Sequence, residues 1–325
     1  MLNKKNLLSV IIPALLLTGC GGSGSDNESA AFSLGISDAP VDELSAVYLC
    51  FNAVELKGNG ESTMITIGEH PEAMSENNVC GEAKNTAGIN LFEFTGAEAI
   101  PFVENIEIAA GEYSQMRLIM TDGSYGVYKD STETVAIEVP SNELKFDGFT
   151  VAQGGSVEFT LEFDLRKSMT NPVGKEEYFL KPRGVRLVDN NKVGTLSGTV
   201  SDAFILNECE ISSPGPDMQL AAVYLYPGQL AIESLEDNSL NDSEFSPLAS
   251  ATVTDDGTGV YSYEIGFIPV GDYTVAITCD TSDQPEILQT DDSLTLPEGV
   301  EPIAFIETQP ATIQVDTSAD ASFGS

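Results

Sequence analysis

The chain has 325 residues, of which 42% are hydrophobic and 20% charged, with 29 Gly and 16 Pro. That length suits two domains of ordinary size, and that apolar content excludes wholesale disorder. Fourteen Lys and Arg stand against 51 Asp and Glu, a formal net charge of −37 that repels phosphate backbones and excludes a nucleic-acid partner, while one His and no Trp remove most His-based metal sites and many aromatic platforms.

The first element is an export signal. Lys4 and Lys5 form its positive end, and Leu7 to Leu17 its apolar stretch, interrupted by Ser9 and Pro13. Eleven residues rise about 16 Å as a helix, half a bilayer core, so the stretch is too short to span. It runs into Leu17-Thr18-Gly19-Cys20, which resembles the lipobox of bacterial lipoproteins. The resemblance implies cleavage after Gly19, acylation of Cys20 and a membrane partner held through the acyl chains. Gly21, where that family's sorting pattern would otherwise place Asp, implies the outer membrane. Residues 1–19 are thus read as signal peptide. Residues 20–31, rich in Gly and Ser, form a flexible tether with a mean reach of about 18 Å.

Period-two alternation dominates the chain beyond the tether, and it predicts an all-β protein: two β-sandwich domains in tandem, spanning residues 32–191 and 192–325. The clearest run is Val157-Glu158-Phe159-Thr160-Leu161-Glu162-Phe163-Asp164-Leu165; Val135, Ile137 and Val139 repeat the pattern. Phe51, Ala53, Val54 and Leu56 fit a strand less cleanly. Gly-rich turns such as Asp122-Gly123, Gly154-Gly155 and Gly271-Asp272 separate the runs. The boundary is placed near residue 192, where Asp189-Asn190-Asn191-Lys192 ends one strand and Val193 opens another. A weak echo links the halves: Ile108-Ala109-Ala110-Gly111-Glu112-Tyr113-Ser114 against Ile268-Pro269-Val270-Gly271-Asp272-Tyr273-Thr274, each with Gly in a turn before a strand that opens on Tyr. Residues 234–247 read as an acidic loop.

Besides Cys20, four cysteines remain, an even number in an exported and disulfide-permissive chain. Three pairings are open. Cys50–Cys80 with Cys209–Cys279 is preferred because each bridge then stays inside one proposed domain.

Two further resemblances arise. Leu34-Gly35-Ile36-Ser37-Asp38-Ala39-Pro40-Val41-Asp42, with Gly111-Glu112-Tyr113-Ser114-Gln115-Met116-Arg117-Leu118, Phe163-Asp164-Leu165-Arg166-Lys167-Ser168 and Leu180-Lys181-Pro182-Arg183-Gly184-Val185-Arg186-Leu187, is similar to a family of exported bacterial proteins catalogued only as a domain of unknown function. The resemblance covers about residues 31–190 and implies an all-β lipoprotein domain without an assigned activity. Gly198-Thr199-Val200-Ser201-Asp202, Ala251-Thr252-Val253-Thr254-Asp255 and Pro269-Val270-Gly271-Asp272-Tyr273-Thr274-Val275 resemble a carboxypeptidase regulatory-like, prealbumin-type domain, which groups with carbohydrate-binding-like folds.

Candidate chemistry is sparse, and no catalytic residue is assigned. His70, in Gly68-Glu69-His70-Pro71-Glu72, reads as a solvated loop His, the alternative being a base or a metal ligand with Glu69 and Glu72. Asp38 and Asp42 flank Ala39-Pro40, where aspartates cap turns; a carboxylate pair or cation ligands are the sharper reading. Arg117, Arg166, Lys181, Arg183 and Arg186 read as internal partners for Glu162 or Asp164, against an anion-binding patch. Asp237, Asp242, Glu244, Asp255, Asp256, Asp291 and Asp292 could ligate Ca²⁺, but lack EF-hand spacing, so no metal site is assigned. Tyr224 and Tyr226 share one face of a strand: if Val223 and Leu225 point inward, the two rings face out as a sugar platform, and otherwise they pack under the 234–247 loop. The expected function is a membrane-anchored, noncatalytic surface or periplasmic binding, adhesion or scaffold module with a protein or glycan partner. Carbohydrate binding through the C-terminal domain is the alternative.

Overall fold

A computed structural model describes residues 29–39, 44–58, 60, 62–129, 131–171, 176–215, 218–237, 245–255, 257–281 and 302–324. Cys20, Asp42, Asp242, Glu244, Asp256, Asp291 and Asp292 lie outside the described residues.

The described residues form an all-β fold, as the alternation predicts. In chain order the N-terminal strands are β1 (Ser29–Ala39), β2 (Leu44–Gly58), β3 (Thr63–Thr66), β4 (Ala87–Asn90), β5 (Ile100–Ala109), β6 (Gly111–Met120) and β7 (Tyr125–Tyr128). They continue with β8 (Thr134–Glu138), β9 (Glu143–Val151), β10 (Ser156–Asp164), the single turn α1 (Leu165–Ser168), β11 (Met169–Thr170), β12 (Tyr178–Leu180) and β13 (Val185–Asp189). After them come β14 (Val193–Val200), α2 (Asp202–Asn207), β15 (Gln219–Pro227), β16 (Ala249–Asp255), β17 (Tyr261–Pro269), β18 (Gly271–Thr278), β19 (Glu307–Ile313) and β20 (Ser318–Asp320).

The strands before residue 190 build two sheets. One is four-stranded in the order β13-β10-β1-β5, with β1 and β10 parallel at its centre; the other runs β11-β12-β8-β7-β2-β6-β9, with β3 and β4 also on β2. Phe32, Leu34 and Ile36 of β1 and Phe159, Leu161 and Phe163 of β10 join Val54, Leu56, Met116 and Leu118 of the second sheet in one buried cluster. Each such side chain contributes about 1.5–3 kcal/mol by leaving water. The uneven alternation in β2 has a local cause: its register on β6 shifts between Phe51 and Ala53, a bulge that resets which side chains face inward. Pro101, which cannot donate to a ladder, lies in β5 at the edge of the four-stranded sheet.

The strands after residue 192 form a single seven-stranded sheet, β19-β18-β15-β16-β17-β14-β20. It curls until its two ends nearly meet: Gln309 of β19 hydrogen-bonds the Ser322 carbonyl just past β20, and a side chain at Gly194 would strike the Gln314 carbonyl. The enclosed core includes Leu196, Val223, Leu225, Val253, Ile265, Val275 and Phe323.

The repeated Gly-x-Tyr segments mark equivalent corners. Tyr113 Oη donates to the Ala109 carbonyl at 2.8 Å and Tyr273 Oη to the Pro269 carbonyl at 2.7 Å. The first corner carries the chain from one sheet to the other, and each hydroxyl ties the start of its strand back to the end of the strand before it, the device of a tyrosine corner. Cys50 is joined to Cys80 and Cys209 to Cys279. The first bridge ties the long β3–β4 connection to buried β2, and the second ties the segment after α2 to the end of β18.

Candidate functional site

The polar face of β10 is where the structure departs most from its sequence. Strict alternation predicts Thr160, Glu162 and Asp164 in water. All three are buried, because the curled sheet packs against this end of the N-terminal sheets.

The junction is polar and closely engaged. Arg166, 1% exposed, follows directly on β10; its guanidinium donates to Gln219 Oε1 at 3.0 Å, Thr252 Oγ1 at 2.8 Å and the Thr281 carbonyl at 3.2 Å. Asp164 caps α1 by accepting from the Lys167 N–H and also accepts from Ser250 Oγ at 3.3 Å. Lys167 Nζ donates to the Pro247 carbonyl, and Glu264 Oε1 accepts from the Ala97 N–H at 2.9 Å. Two glycines allow that last approach. Gly96 sits at φ +67°, and a Cβ on Gly266 would lie 2.2 Å from the Gly96 carbonyl.

Beside this junction opens a cleft of about 660 Å³. Asp38, Glu98, Glu162, Glu264 and Asp320 are among the residues that line it, with Thr95, Ser197, Thr199, Ser250, Thr252 and Ser262; no lining residue is basic. Three buried carboxyls near the junction have raised pKa values. Burial raises Glu162 from an ordinary 4.5 to about 7, opposed by its ion pair with Arg186. Burial likewise raises Asp164, against the pull of Lys167 and Arg166. Burial, with Asp164 and Glu162 beside it, lifts Asp38 well above the carboxylate range. Asp38 differs from the other two: both of its carboxyl oxygens are buried and neither has a hydrogen-bond partner. The Ala39 N–H stands near enough to lower its pKa slightly, but outside hydrogen-bonding geometry.

The sequence candidates scatter around this cleft. Asp38 lies in it. Arg166 and Arg186 hold its walls, Arg186 through Glu162 as an internal partner. Arg117 pairs instead with Glu143 at 3.2 Å on the nine-stranded sheet. Arg183 donates to the Lys167 carbonyl at 3.0 Å. His70 is half-buried in a turn whose carbonyl accepts from the Ala73 N–H. Asp255 accepts from the Gly257 and Gly259 N–H groups as a turn cap, and Asp237 accepts from the Ile303 N–H. Among the described residues no three His, Cys, Asp or Glu side chains converge as a metal site.

Tyr224 and Tyr226 require a correction to the sugar-platform reading. They are 1% and 0% exposed. Both rings pack edge-on against Phe305, in a small cluster with Leu230, Leu235 and Ile303, and Tyr226 Oη donates to the Glu236 carbonyl at 2.7 Å. Val223 and Leu225 do point into the core, but later chain covers the opposite face of β15, so no ring is free to stack on a sugar. A half-exposed aromatic pair is found instead at Tyr48 and Tyr125, stacked with ring centroids 4.8 Å apart.

Fold and site together define an all-β protein with an acidic cleft at the junction of its sheets. Within it, a domain of unknown function (DUF4382) is found over residues 29–182. That family's description assigns no enzymatic activity. No curated protein matches the chain. Solved structures similar to parts of it include a leucine-rich repeat protein from Bacteroides thetaiotaomicron, at 14% identity and TM-score 0.20, over 91% of this chain and 26% of that one. A candidate cell adhesion protein from Bacteroides fragilis aligns at 7% identity over 90% of this chain and 92% of that one, with TM-score 0.19. The fimbrial anchor protein Mfa2 from Porphyromonas gingivalis aligns at 8% identity over 88% and 99%, with TM-score 0.16. The chain thus spans about a quarter of the first of these proteins.

Proposed function

We propose that this protein is a noncatalytic binding, adhesion or scaffold module of the bacterial envelope, anchored to the outer membrane through an acylated Cys20. Its two parts are the domains 32–191 and 192–325. The observation that carries the reading is the junction around Arg166. A guanidinium withdrawn from water and bonded to three groups of the other sheet fixes the two parts as one body, which suits a molecule that must hold a binding surface at a set distance from a membrane. The buried carboxylates that could suggest acid–base chemistry are already used as structural acceptors in two of three cases, Glu162 by Arg186 and Asp164 by Lys167 and Ser250. Two disulfides favour an oxidising compartment, consistent with export.

The test is crosslinking in intact cells, with the captured species and the N-terminus of the mature chain identified by mass spectrometry. A diacylglyceryl-modified Cys20 and a defined protein partner are expected. An unacylated chain retaining residues 1–19, or turnover of a substrate that stops on Asp38→Asn, would overturn the reading.

A further inference from the structure

The surfaces that meet at the junction decide whether it is permanent or conditional. Among the described residues no buried apolar cluster spans it: one cluster draws its buried members from Ala30 to Val185, and the other two lie between Leu196 and Phe323. What meets instead is polar on both sides. The N-terminal sheets present Asp164, Arg166 and Lys167, and the curled sheet answers with Gln219, Ser250, Thr252 and the Pro247 carbonyl. Closure is incomplete, since the cleft of about 660 Å³ has walls from both parts. The chain crosses through one short turn, Asn190–Lys192. Polar faces tolerate water, and domains joined by such faces are free to move relative to one another.

The same joint holds titratable groups. Glu162 and Asp164 stand on the outward face of β10, and Asp38 at the end of β1 is near enough to feel both charges. The cations facing them are Arg186 of β13 and Arg166 and Lys167 of α1. Glu264 and Asp320 of the curled sheet and Glu98 before β5 line the cleft with them, without a further cation. Burial is the largest cause acting on all three carboxyls, and the curled sheet contributes to it: Ser250 bonds Asp164 and shares the cleft wall with Glu162.

We propose that the joint is an acid-held latch: the two parts are locked together while the carboxyls on the outward face of β10 carry protons, and swing apart about Asn190–Lys192 as those protons leave. Opening returns Glu162 and Asp164 to water, where each binds its proton less tightly, so rising pH favours the open form. Glu162, at about 7 when closed against an ordinary 4.5, by itself shifts the opening equilibrium about thirtyfold between pH 5.5 and 8. Ordinary carboxylates are already ionised at pH 5.5, so general repulsion within this acidic chain changes little over that range. The inference goes beyond the binding reading, because it makes the spacing of the two parts depend on the surrounding pH.

Small-angle X-ray scattering of the purified full chain at pH 5.5, 7 and 8 tests it, with far-ultraviolet circular dichroism to follow the sheets. A reversible increase in radius of gyration and maximum dimension with pH, at constant dichroism, is expected. Glu162→Gln/Asp164→Asn, whose amides still accept from Arg186 and Ser250 but cannot ionise, should stay compact at pH 8. Arg166→Met should already be extended at pH 5.5, and His70→Gln, in the β3–β4 connection, should expand as the wild type does. Should the double variant fail to fold, Asp164→Asn alone replaces it, with a shallower expansion expected. Dimensions independent of pH in the folded wild type, an undiminished expansion in the non-ionising variant, or expansion only with loss of the dichroism would overturn the latch. No anchor or cell partner enters the measurement, so its failure leaves the binding reading standing.

Discussion

β10 and β15 are both buried on two faces, but they arrive there by opposite means. In β10 the outward positions are Thr160, Glu162 and Asp164, all buried; Glu162 pairs with Arg186 of the neighbouring strand β13, and Asp164 accepts from Ser250 of the curled sheet. In β15 the outward positions are Ala222, Tyr224 and Tyr226, and Leu230, Leu235, Ile303 and Phe305 from the same sheet unit cover them as a second small core. Covering a polar outward face is costly where its groups are left unsatisfied, so β10, with Asp164 and Arg166 bonded across to the curled sheet, makes a specific joint. An outward face that is aromatic accepts any apolar cover, so β15 makes a local one.

The largest expected effect comes from breaking the joint. Arg166→Met leaves Gln219, Thr252 and the Thr281 carbonyl without their buried donor, and should destabilise the chain by about 3–5 kcal/mol. Calorimetry should then resolve separate transitions for the N-terminal sheets and the curled sheet. One unsplit transition at the wild-type temperature would mean that the joint is incidental.

Tyr224→Ala probes the other strand. Emptying the space under Phe305 should cost about 3–4 kcal/mol and lower the transition of the curled sheet alone, while Tyr226→Phe, losing only the bond to the Glu236 carbonyl, should cost about 1 kcal/mol in denaturant titrations. A Tyr224→Ala cost below that of Tyr226→Phe would show that this face is solvated after all.

A third prediction concerns pH and acts on β10 only. Glu162, raised from an ordinary 4.5 to about 7, binds its proton more tightly folded than unfolded, and Asp38 and Asp164 shift the same way. Their contribution is therefore complete below about pH 4.5 and is lost as pH rises through 7, so the protein should melt at higher temperature at pH 5.5 than at pH 8. For Glu162 alone the difference between pH 5.5 and pH 8 is about 2 kcal/mol. Glu143 and Asp189, whose pKa values are lowered by Lys145 and Lys192, act in the opposite sense, but only below the ordinary carboxylate range. Asp38→Asn should flatten the slope between pH 5.5 and 8 and raise stability at pH 8. A melting temperature that rises from pH 5.5 to 8 would contradict the burial of these groups.

Much of this was legible in the chain. The alternation of Phe159, Leu161 and Phe163 marks an inward row, and it holds because a side-chain period of two survives any choice of partner strand. The two Gly-x-Tyr corners are equally local, since each needs only a turn and a hydroxyl four residues from its acceptor. Asp38 was visible as a carboxylate beside Pro40, but its burial and lack of partner were not, because they depend on β10 and on the sheet beyond residue 192. The aromatic pair Tyr48–Tyr125 left no local signal, since its members come together through the pairing of β2 with β7.

The sequence by itself determined that the protein is all-β, highly acidic, rich in inward-facing apolar rows and supplied with four cysteines besides Cys20, because composition and period are properties of neighbouring residues. Only the tertiary structure decided which outward faces stay wet. That choice sent Tyr224 and Tyr226 into a second core and drew Glu162, Asp164 and Arg166 into a joint. It also left Asp38 buried and unsatisfied at the wall of a cleft. What covers a face is set by distant chain, and its chemistry is weighed only when water is removed.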